Sequence, residues 1–418
     1  MSSSTAPASQ RDYDVLIVGA GHAGANVAMA LRQGGFSGSL ALLGAEPELP
    51  YERPPLSKDY LSGERAFERL LVRPATYWEE QGVALLSGCR VLQVDATGHG
   101  VTTAEGERLG YGSLVWAAGA AARGLACDGG DLAGVHAIRT RADVDRLLAE
   151  LPGVRHATVI GAGYIGLEAA SVLTKLGKQV TVLELEERVL ARVAGQALSR
   201  FYEAEHRAQG VDLRLGVTVE GLEGGAGRVR GVRLSDGQVL STDVVIVGIG
   251  VTPLVQPLLQ AGATGGDGVD VDAHCRTGLP DVFAAGDCAA QSRLHADGRR
   301  LRIESVHNAK EQATTVAKVL LGEDAPAQAV PWFWSNQYDL RLQTAGLMHG
   351  HDEVVMRGDP ATRSFSVAYL REGRVVALDC VNRTQDFVQG KLLVAAGTEV
   401  ARASLADGDV PLKSLLPG

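Results

Sequence analysis

The chain has 418 residues, a formal net charge of −9 and a sequence pI near 5.6. This length is enough for two or three domains with sizeable cores. The acidic balance argues against a general binder of nucleic acid or anionic membranes, and no apolar run approaches the roughly 18 residues of a membrane span. The five cysteines are widely spaced, so we expect neither a zinc site nor a local redox disulfide, and no bound metal.

The opening segment, MSSSTAPASQ, is small and polar. It lacks the basic start and the apolar core of a signal peptide. We therefore expect residues 1–11 to form a flexible tail on a cytoplasmic protein.

A strand, a glycine turn and a helix are predicted next, in the run DVLIVGAGHAGANVAMAL. Gly19 allows a tight turn, Gly21 lets the backbone approach a pyrophosphate, and Gly24 lets the helix pack closely on its strand. Ala23 lies in the same turn. The helix N-terminus presents free N–H groups and a partial positive charge to phosphates. This pattern predicts a dinucleotide site.

The following strand is predicted from Leu40 to Gly44, and an acidic ribose ligand is expected directly after it. Ala45 stands there instead. We expect Glu46, one residue later, to reach the ribose; the alternative is an ordinary loop glutamate. Farther along, the runs VALLSG and VLQVDA predict strands, and VTTAEGERLGYGSLVWAAGA predicts a hairpin.

A second copy of the glycine device occurs in ATVIGAGYIGLEAASVL. Its glycines are Gly161, Gly163 and Gly166, and Tyr164 and Ile165 lie between them. One such turn is weak evidence for a nucleotide site, whereas two in strand–turn–helix context are strong. Two dinucleotides on one chain suggest that a hydride passes from one to the other.

Glu184 ends the next strand, 18 residues after Gly166, where a carboxylate can accept hydrogen bonds from ribose hydroxyls. A carboxylate there repels a 2′-phosphate, which favours NADH over NADPH, although Arg188 is close enough to leave some NADPH use open. The alternative is an exposed glutamate at a strand end. A further apolar strand, VVIVGIG, ends at Gly250, which we also assign to the NAD site.

The segment DVFAAGDCA has strand–turn–helix character, and the run HNAKEQATTVAKVLLG has a helical pattern. Beyond Val330, hairpin strands and a closing helix from Thr384 to Ala396 predict a separate α+β domain. The predicted fold is α/β: two Rossmann-like, three-layer dinucleotide-binding domains, as in glutathione reductase, plus a C-terminal α+β domain. The predicted boundaries are 12–122 with 256–328 for the first domain, 123–255 for the second, and 329–418 for the third.

Several longer segments occur in a characteristic order: PYERPPLSKDYL, GAGYIGLEAA, DVFAAGDCA, RIESVHNAKEQA and PWFWSNQYDLRLQTAG. Through them the chain resembles the NADH-dependent ferredoxin reductases of bacterial oxygenase systems, the group that includes putidaredoxin reductase and the reductases of aromatic-ring dioxygenases. The resemblance covers almost the whole chain. It implies FAD in the first domain and NADH in the second.

The resemblance also assigns roles to individual residues. Asp287, after Gly286, matches the aspartate that hydrogen-bonds the ribityl chain; alternatively or additionally it caps a following helix. Lys58 matches the lysine beside flavin N5, where a fixed cation stabilises the reduced ring. Glu168 matches the acidic residue that faces the nicotinamide, and is a plausible partner for Lys58. Without the surrounding motif, the favoured interpretation of Lys58 would be an ordinary solvated residue at a helix start.

Other positions match residues that contact FAD in the family, partly through their backbone. They are Arg53, Val91, Arg139, Val306 and Trp334. Trp332 and Trp334 alternate in a strand-like run, so at least one of the two is expected in the core.

Related flavoenzymes that reduce disulfides need a cysteine pair or a single cysteine early in the first domain, and this chain has no cysteine before Cys89. Electrons therefore leave directly from the flavin, which fits a one-electron acceptor. The resemblance makes that acceptor a [2Fe–2S] ferredoxin serving a cytochrome P450 or a Rieske oxygenase. Rubredoxin reductase and monodehydroascorbate reductase remain alternatives. A protein like apoptosis-inducing factor, with nucleic-acid binding, fits the acidic pI poorly.

Ferredoxins are acidic, so a basic docking face is expected. Local excesses of positive charge that could form it are Arg65, Arg69, Arg73, Arg299, Arg300, Arg302 and Lys310. The alternative is ordinary solvated surface charge.

Overall fold

A computed structural model describes residues 11–292, 298–326 and 329–416. The tail predicted for residues 1–11 lies outside the described residues except for Arg11, which begins the first strand. The chain forms two compact units. The first unit comprises Met1–Glu52, Leu70–Ala120 and Thr252–Pro331. The second unit comprises Arg53–Arg69, Ala121–Val251 and Trp332–Gly418.

The first unit is built on a seven-stranded sheet with a parallel centre and an antiparallel edge. Its strands, in spatial order, are Val83–Ser87, Leu40–Gly44, Arg11–Val18, Arg108–Trp116, Gly100–Thr103 and Val91–Asp95, with Val282–Ala284 also paired to Arg108–Trp116. Leu40–Gly44 is buried at every position. A continuous apolar run of this kind is typical of a parallel strand that is covered on both faces.

Helices and a smaller sheet complete the first unit. The helices are His22–Gln33, Ala75–Glu80, Gln256–Gln260 and Val306–Leu320. The smaller sheet contains Gly265–Gly266, Gly268–Val271, Ala289–Ser292 and Arg300–Arg302. Alanines of the first and last helices, including Ala28 and Ala313, share one buried core. Small side chains allow the two helices to approach closely.

The second unit contains a five-stranded parallel sheet. Its strands, in spatial order, are Asp212–Arg214, Gln179–Leu183, His156–Ile160, Val244–Val247 and Val135–His136. Helices Arg141–Glu150, Tyr164–Lys175 and Gln196–Ala208 accompany it, with an antiparallel sheet of Val219–Gly225, Arg228–Leu234 and Val239–Ser241. This is the second doubly wound arrangement that the repeated glycine turn predicts.

A five-stranded antiparallel sheet forms the C-terminal part of the second unit. Its strands, in spatial order, are Trp332–Gln337, Leu340–Gly346, Arg374–Val381, Ser364–Arg371 and Glu353–Asp359. The closing helix spans Thr384–Ala396, as predicted, and a short helix spans Arg402–Ala406. The predicted fold class is confirmed. Strands that had no counterpart in the sequence interpretation include the edge strand Glu353–Asp359 and the antiparallel sheet of Val219–Gly225, Arg228–Leu234 and Val239–Ser241.

The remaining elements are short. Strands Ala120–Ala122 and Val251–Pro253 include the points where the chain passes between units. The 3-10 turns are Pro54–Ser57, Phe67–Leu70, Leu151–Gly153, Pro360–Thr362 and Leu412–Leu415. Among the described residues, no helix is both long enough and apolar enough to cross a membrane.

Candidate functional site

The first glycine turn has the geometry that its spacing predicts. Gly19 has φ +112°, and a Cβ added there would overlap the carbonyl of Ala117. A Cβ on Gly24 would overlap the carbonyl oxygen of Gly19. A side chain is therefore excluded at both positions, because the strand end and the first helical turn touch through their backbones.

The helix that follows this turn begins with an open N-terminus. Gly21 precedes its first residue, no side chain caps it, and its first turn holds no acidic residue. By contrast, the helix Val306–Leu320 is capped by Ser305, whose Oγ accepts from the Asn308 backbone N–H at 3.0 Å. Uncapped N–H groups at a helix start suit a phosphate. These residues fit the pyrophosphate of a dinucleotide.

A second tight turn of the first unit packs against the helix His22–Gln33. Gly286 has φ +83°, and a Cβ added there would lie 3.0 Å from that of Ala23. The Gly286 N–H donates to Gln312 Oε1 at 2.8 Å. Asp287, the predicted ribityl ligand, is thereby placed beside the first glycine turn. The predicted N-cap role of Asp287 is wrong, because the strand Ala289–Ser292 follows it instead of a helix.

Arg302 supports this turn and was not recognised for that from the sequence. Its Nη1 donates to the Asp287 carbonyl oxygen at 3.1 Å, and its side chain also pairs with Asp267 and Glu304. The side chain is only 7% exposed. The prediction that Arg302 contributes to a basic docking face is wrong. Its guanidinium is buried and forms its hydrogen bonds and ion pairs within its own unit.

Glu46 lies beyond the strand Leu40–Gly44, where a Cβ on Gly44 would come within 3.0 Å of Ala20 Cβ in the glycine turn. Its Oε2 accepts from the Tyr51 hydroxyl at 2.6 Å. Ala45 is exposed, whereas Glu46 is half-buried. The structure thus places a held carboxylate near the turn, and its role toward a ribose stays a prediction.

The other two predicted FAD contacts of the first unit occupy element starts. Val91 begins a strand and is buried. Val306 is the first residue of the capped helix and is half-buried.

The second glycine turn repeats the first in the second unit. Gly161 has φ +102°, and its added Cβ would lie 2.5 Å from the Gly248 carbonyl oxygen. The helix Tyr164–Lys175 follows Gly163 with no side-chain cap and no acidic residue in its first turn. A Cβ on Gly166 would overlap the Gly161 carbonyl oxygen. These residues fit a second dinucleotide.

Glu184 lies at this second turn. Its Oε2 accepts from the Ala162 backbone N–H at 2.6 Å, and its Oε1 accepts from the Glu186 N–H at 3.0 Å. Both bonds fix the carboxylate at the strand end beside the turn. A carboxylate held by backbone donors is available to ribose hydroxyls only through its remaining lone pairs.

Arg188, which the sequence left open as a ligand for a 2′-phosphate, is turned into the protein. Its guanidinium donates to the carbonyl oxygens of Ala191 and Ala194 and to Ser199 Oγ, at 2.6 to 2.7 Å. These bonds fold the loop after the strand Gln179–Leu183 around the side chain. Arg188 therefore serves the loop, and Glu184 is the charge that faces the turn.

Gly250 has φ +101°, and the guanidinium of Arg192 lies 3.5 Å from where its Cβ would be. Arg192 is exposed. The sequence interpretation missed this arginine because only the loop conformation brings it to Gly250. A cation at this place is suited to a pyrophosphate.

A buried acid lies under the same loop. The Asp379 carboxylate accepts from the Tyr369 hydroxyl at 2.6 Å, and the Gly195 N–H donates to that hydroxyl at 3.1 Å. Burial raises the pKa of Asp379 to about 7, against the smaller opposing effect of the Tyr369 hydrogen bond. The loop is thus tied to the C-terminal sheet through an acid that titrates near neutral pH.

The segment Arg53–Arg69 packs within the second unit, and it brings Lys58 to Glu168. Lys58 Nζ lies 2.6 Å from Glu168 Oε2, and the two side chains are 12% and 0% exposed. Lys58 also donates to the Pro54 carbonyl oxygen at 3.2 Å. The two predicted catalytic residues, 110 positions apart, form one desolvated ion pair.

Two serines hold the carboxylate of this pair. Ser57 Oγ donates to Glu168 Oε2 at 2.5 Å, and Ser335 Oγ donates to Glu168 Oε1 at 2.6 Å. Both were missed as site residues, although they stand in the PPLSK and PWFWS segments that carry the resemblance. Hydrogen bonds to a charged group are about twice as strong as neutral ones.

Aromatic side chains surround the second turn and the C-terminal sheet. The rings of Tyr164 and Phe333 are tilted by 35° with centroids 4.5 Å apart, and the ring centroids of Trp334 and Trp332 lie 5.6 Å apart. Both tryptophans are only half-buried, so the prediction that at least one belongs to the core is wrong. The half-buried Trp334 leaves ring surface open for another planar group.

Arg53 and Arg139, both predicted to contact FAD, are brought together: Arg53 Nη1 donates to the Arg139 carbonyl oxygen at 2.8 Å. Ile165 is 40% exposed at the start of the helix Tyr164–Lys175.

The predicted site residues are divided between the two units. The first unit holds the Gly19 turn, Glu46, Val91, Asp287 and Val306, whereas the second holds the Gly161 turn, Glu184, Gly250, Arg53, Lys58, Arg139, Glu168 and Trp334.

The predicted docking arginines also divide between the units. Arg65 and Arg69 line an open cavity of about 460 Å³ in the second unit, together with Asp59 and Glu64. In the first unit, Arg73, Arg299 and Lys310 are exposed, and Arg300 is paired with Asp270 at 2.5 Å. The structure therefore offers basic residues in both units, with acidic neighbours in each.

All five cysteines are free. Cys275, Cys288 and Cys380 are buried, and burial raises the pKa of Cys288 to about 11. A thiol of that kind is neutral at physiological pH and unreactive. No group of three or more His, Cys, Asp or Glu side chains arranged for a metal occurs in the described part of the chain.

Two protein families match this chain. Residues 13–313 match the pyridine nucleotide-disulphide oxidoreductase family, and residues 332–416 match the reductase C-terminal family. The chain is 59% identical over 404 residues to the 5,5′-dehydrodivanillate O-demethylase ferredoxin reductase subunit of Sphingobium sp. (strain NBRC 103272 / SYK-6), covering 96% of this chain and 98% of the relative.

Two further comparisons agree. A ferredoxin–NAD(P)+ reductase of Sphingomonas sp. is 55% identical over 405 residues, covering 97% of this chain and 98% of the relative. Among solved structures, the crystal structure of the covalent putidaredoxin reductase–putidaredoxin complex superposes with a TM-score of 0.93 at 38% identity, covering 97% of this chain and 98% of that chain.

Proposed function

The chain belongs to the pyridine nucleotide-disulphide oxidoreductase family, and from this we propose that it is an FAD-dependent, NADH-oxidising ferredoxin reductase. The observation that carries the proposal is the buried Lys58–Glu168 ion pair. It occurs in a chain with two dinucleotide turns and five free cysteines. Such a chain has a fixed charge for a flavin and no disulfide to receive its electrons.

The first unit is proposed to hold FAD. Its pyrophosphate would lie on the open helix start after Gly21, and Glu46 and Asp287 would meet its ribose and ribityl hydroxyls. Arg53, Val91, Arg139, Val306 and Trp334 are proposed as further contacts. When bound, FAD accepts a hydride and releases electrons singly, chemistry that no amino-acid side chain supplies.

Lys58 is proposed to act directly on the flavin ring, and Glu168 is proposed to act through Lys58. Lys58 is a cation held in place by Glu168 and by the Pro54 carbonyl oxygen. A fixed, desolvated cation stabilises negative charge that develops beside it, and no reorganisation is needed during the reaction. Glu168 is buried and keeps that cation oriented.

NADH is proposed as the preferred nicotinamide nucleotide. The preference is supported by Glu184, which is held at the second turn by the Ala162 N–H, and by Arg188, whose guanidinium is engaged by its own loop. The 2′-phosphate of NADPH would lie near the Glu184 carboxylate, which repels it. The Arg188 guanidinium could not compensate, because it already donates to its own loop. The Gly161, Gly163 and Gly166 backbone, with Ile165, Gly250 and Arg192, would receive the rest of the nucleotide.

The proposed electron acceptor is a [2Fe–2S] ferredoxin that serves a cytochrome P450 or a Rieske oxygenase. Relatives named as ferredoxin reductases of oxygenase systems support this, as does the putidaredoxin complex of a structural neighbour. Docking is proposed at Arg65 and Arg69, or at Arg73, Arg299, Arg300 and Lys310. We also propose a cytoplasmic location, since five free cysteines suit a reducing compartment.

Anaerobic titration of the purified protein with NADH tests the first half of the proposal. The flavin absorbance should bleach with one equivalent of NADH. Persistent absorbance in excess NADH would contradict the assignment as a reductase.

Steady-state reduction of cytochrome c, with and without added ferredoxin, tests the acceptor. Ferredoxin should stimulate the rate strongly, and rising salt should weaken that stimulation if the docking face is basic. Stimulation by rubredoxin or by a small radical acceptor, without any by ferredoxins, would identify the alternative reductases.

A further inference from the structure

A line of buried polar side chains leads from Glu168 into the C-terminal sheet, all within the second unit. Ser335 Oγ lies 2.6 Å from Glu168 Oε1, and Gln337 Nε2 lies 3.2 Å from Ser335 Oγ. Gln337 Oε1 lies 2.8 Å from His206 Nε2, and His206 Nδ1 lies 3.0 Å from the Tyr338 hydroxyl. The line thus connects the Lys58–Glu168 ion pair to His206 on the helix Gln196–Ala208.

The direction of every bond follows from the carboxylate at one end. An ionised carboxylate only accepts, so Ser335 must donate to Glu168. Ser335 Oγ then accepts from the Gln337 amide group, which leaves the Gln337 carbonyl facing His206. That carbonyl requires a proton on His206 Nε2, and the bare Nδ1 accepts from the phenol.

The protonation states of His206 and Tyr338 are consistent with this direction of the hydrogen bonds. Burial lowers the pKa of His206, so its ring is neutral and carries one proton. Burial raises the pKa of Tyr338 to about 12, so its hydroxyl keeps the proton that it donates. His206 and Ser335 are 0% exposed and Gln337 is 1% exposed. Aligned bonds in such a dry interior polarise one another toward the negative charge.

The far end of the line is clamped to the helix that carries Glu168. Tyr338 occupies the hairpin turn with φ +56°, a left-handed conformation that is costly for a bulky residue. Its N–H donates to Ser171 Oγ at 2.6 Å, and its carbonyl oxygen accepts from Lys175 Nζ at 2.9 Å. The hairpin is therefore anchored on Tyr164–Lys175, the helix of Glu168.

We propose that Ser335, Gln337 and His206 are positioning residues that hold the Glu168 carboxylate aimed at Lys58. The aligned donors place one hydrogen bond on the oxygen that Lys58 does not use, which prevents the carboxylate from rotating away. This inference rests on the proposed function, because it gives the Lys58–Glu168 pair a task in hydride transfer. None of the three touches a dinucleotide in this scheme.

Kinetics along the line test the proposal. Anaerobic stopped-flow reduction of the flavin by NADH should slow about tenfold in Ser335→Ala, which loses a hydrogen bond to a charged group. The loss should diminish in the order Ser335→Ala, Gln337→Leu, His206→Phe, since each change is one bond farther from Glu168. The apparent affinity for NADH should stay unchanged, and Ser335→Thr should restore the rate.

Ser366→Ala is the matched control. Ser366 is a buried serine of the same sheet, and its hydroxyl also donates to a carboxylate, Asp386 Oδ2, at 2.9 Å. It should lower the unfolding midpoint comparably without changing the rate of flavin reduction. Equal slowing in Ser366→Ala and Ser335→Ala, or losses unrelated to position along the line, would overturn the proposal.

A spectroscopic measurement keeps the inference independent of turnover and of fragile variants. In ¹⁵N-histidine-labelled holoprotein, long-range ¹H–¹⁵N correlation should show a His206 ring with only Nε2 protonated, assigned by its disappearance in His206→Asn. A proton on Nδ1, or on both ring nitrogens, at neutral pH would contradict the proposed direction of the hydrogen bonds along the line. If NADH fails to bleach the flavin while this tautomer is found, the proposed function fails and the arrangement of the line stands.

Discussion

The two glycine turns use one backbone device in two different settings. Gly19 and Gly161 have φ values of +112° and +102°, and each is followed by a helix without a side-chain cap. Yet the acid near the first turn, Glu46, is held by a side chain, Tyr51, whereas Glu184 is held by the turn's own backbone. The same phosphate cradle is thus completed by different means.

The surroundings of the turns differ more than the turns themselves. Next to the first turn, Ala23 and Ala117 are 6% and 5% exposed, and the Gly286 turn packs against Ala23. In the loop that follows the strand Gln179–Leu183 of the second unit, Leu185 and Val193 are 66% and 45% exposed. Enclosure suits a dinucleotide that remains bound, and open apolar side chains suit one that exchanges with solvent. We infer that FAD is resident and that NADH comes and goes.

The largest expected effect separates the two turns. Gly19→Val should abolish flavin retention. The valine side chain would overlap the Ala117 carbonyl oxygen and would force a positive φ on a β-branched residue, which destabilises the turn by about 3 kcal/mol or more. Gly161→Val should leave the flavin bound and abolish its reduction by NADH. Absorbance spectra and NADH titration of both variants check this. Loss of flavin from both would contradict separate roles for the turns.

The next effect is a pH dependence of stability carried by Asp379, which the Tyr369 hydroxyl links to Gly195 in the loop after Glu184. Its folded pKa of about 7 exceeds the unfolded value near 3.8. The folded state therefore binds the extra proton between these values, and the free energy of unfolding should fall as pH rises from about 4 to 7, by about 1 kcal/mol per pH unit. Asp379→Asn should flatten that dependence in denaturant melts. An unchanged slope would contradict the assignment.

A smaller effect concerns the choice of nicotinamide nucleotide. Glu184→Ala should raise the KM for NADH about tenfold and narrow the preference over NADPH, because a charge-assisted hydrogen bond is lost and a repulsive charge removed. Glu187→Ala, an exposed neighbour, is the control. Arg188→Ala should leave the ratio of the two kcat/KM values unchanged, since its guanidinium serves the loop. A shifted ratio in Arg188→Ala would return that residue to the nucleotide site.

The smallest effect tests the side-chain support of the first turn. Tyr51→Phe removes the hydroxyl that holds Glu46, at a cost of about 1 kcal/mol. Flavin release, followed by its fluorescence after dilution, should quicken about fivefold. A corresponding change in NADH affinity is not expected, and finding one would weaken the contrast between the turns.

Local sequence predicted much of this protein. The glycine spacing specified both turns, because positive φ and backbone contact exclude any side chain there. Strand Leu40–Gly44 and helix Thr384–Ala396 followed from apolar pattern alone. After Asp287, however, a strand forms where a helix was predicted, since AAQS pairs with Gly268–Val271, a partner that is distant in sequence.

The candidate site shows the same limit. Lys58 and Glu168 could be named from motifs, but Ser57, Ser335, Gln337 and His206 could not be assigned to them. Arg302 was predicted to be a docking residue, and Arg188 was left open as a ligand for a 2′-phosphate. The sequence could not show which carbonyl oxygens each guanidinium would contact in the folded protein.

The sequence by itself determined which backbone conformations are possible and hence where two dinucleotides can bind. Tertiary structure alone decided which charges are buried, which are paired and which stay open to solvent. The physical reason is that steric limits on φ and ψ act within a few residues, whereas desolvation and hydrogen bonding depend on groups that folding brings from 100 or more positions away, as it does for Lys58, Glu168 and Ser335.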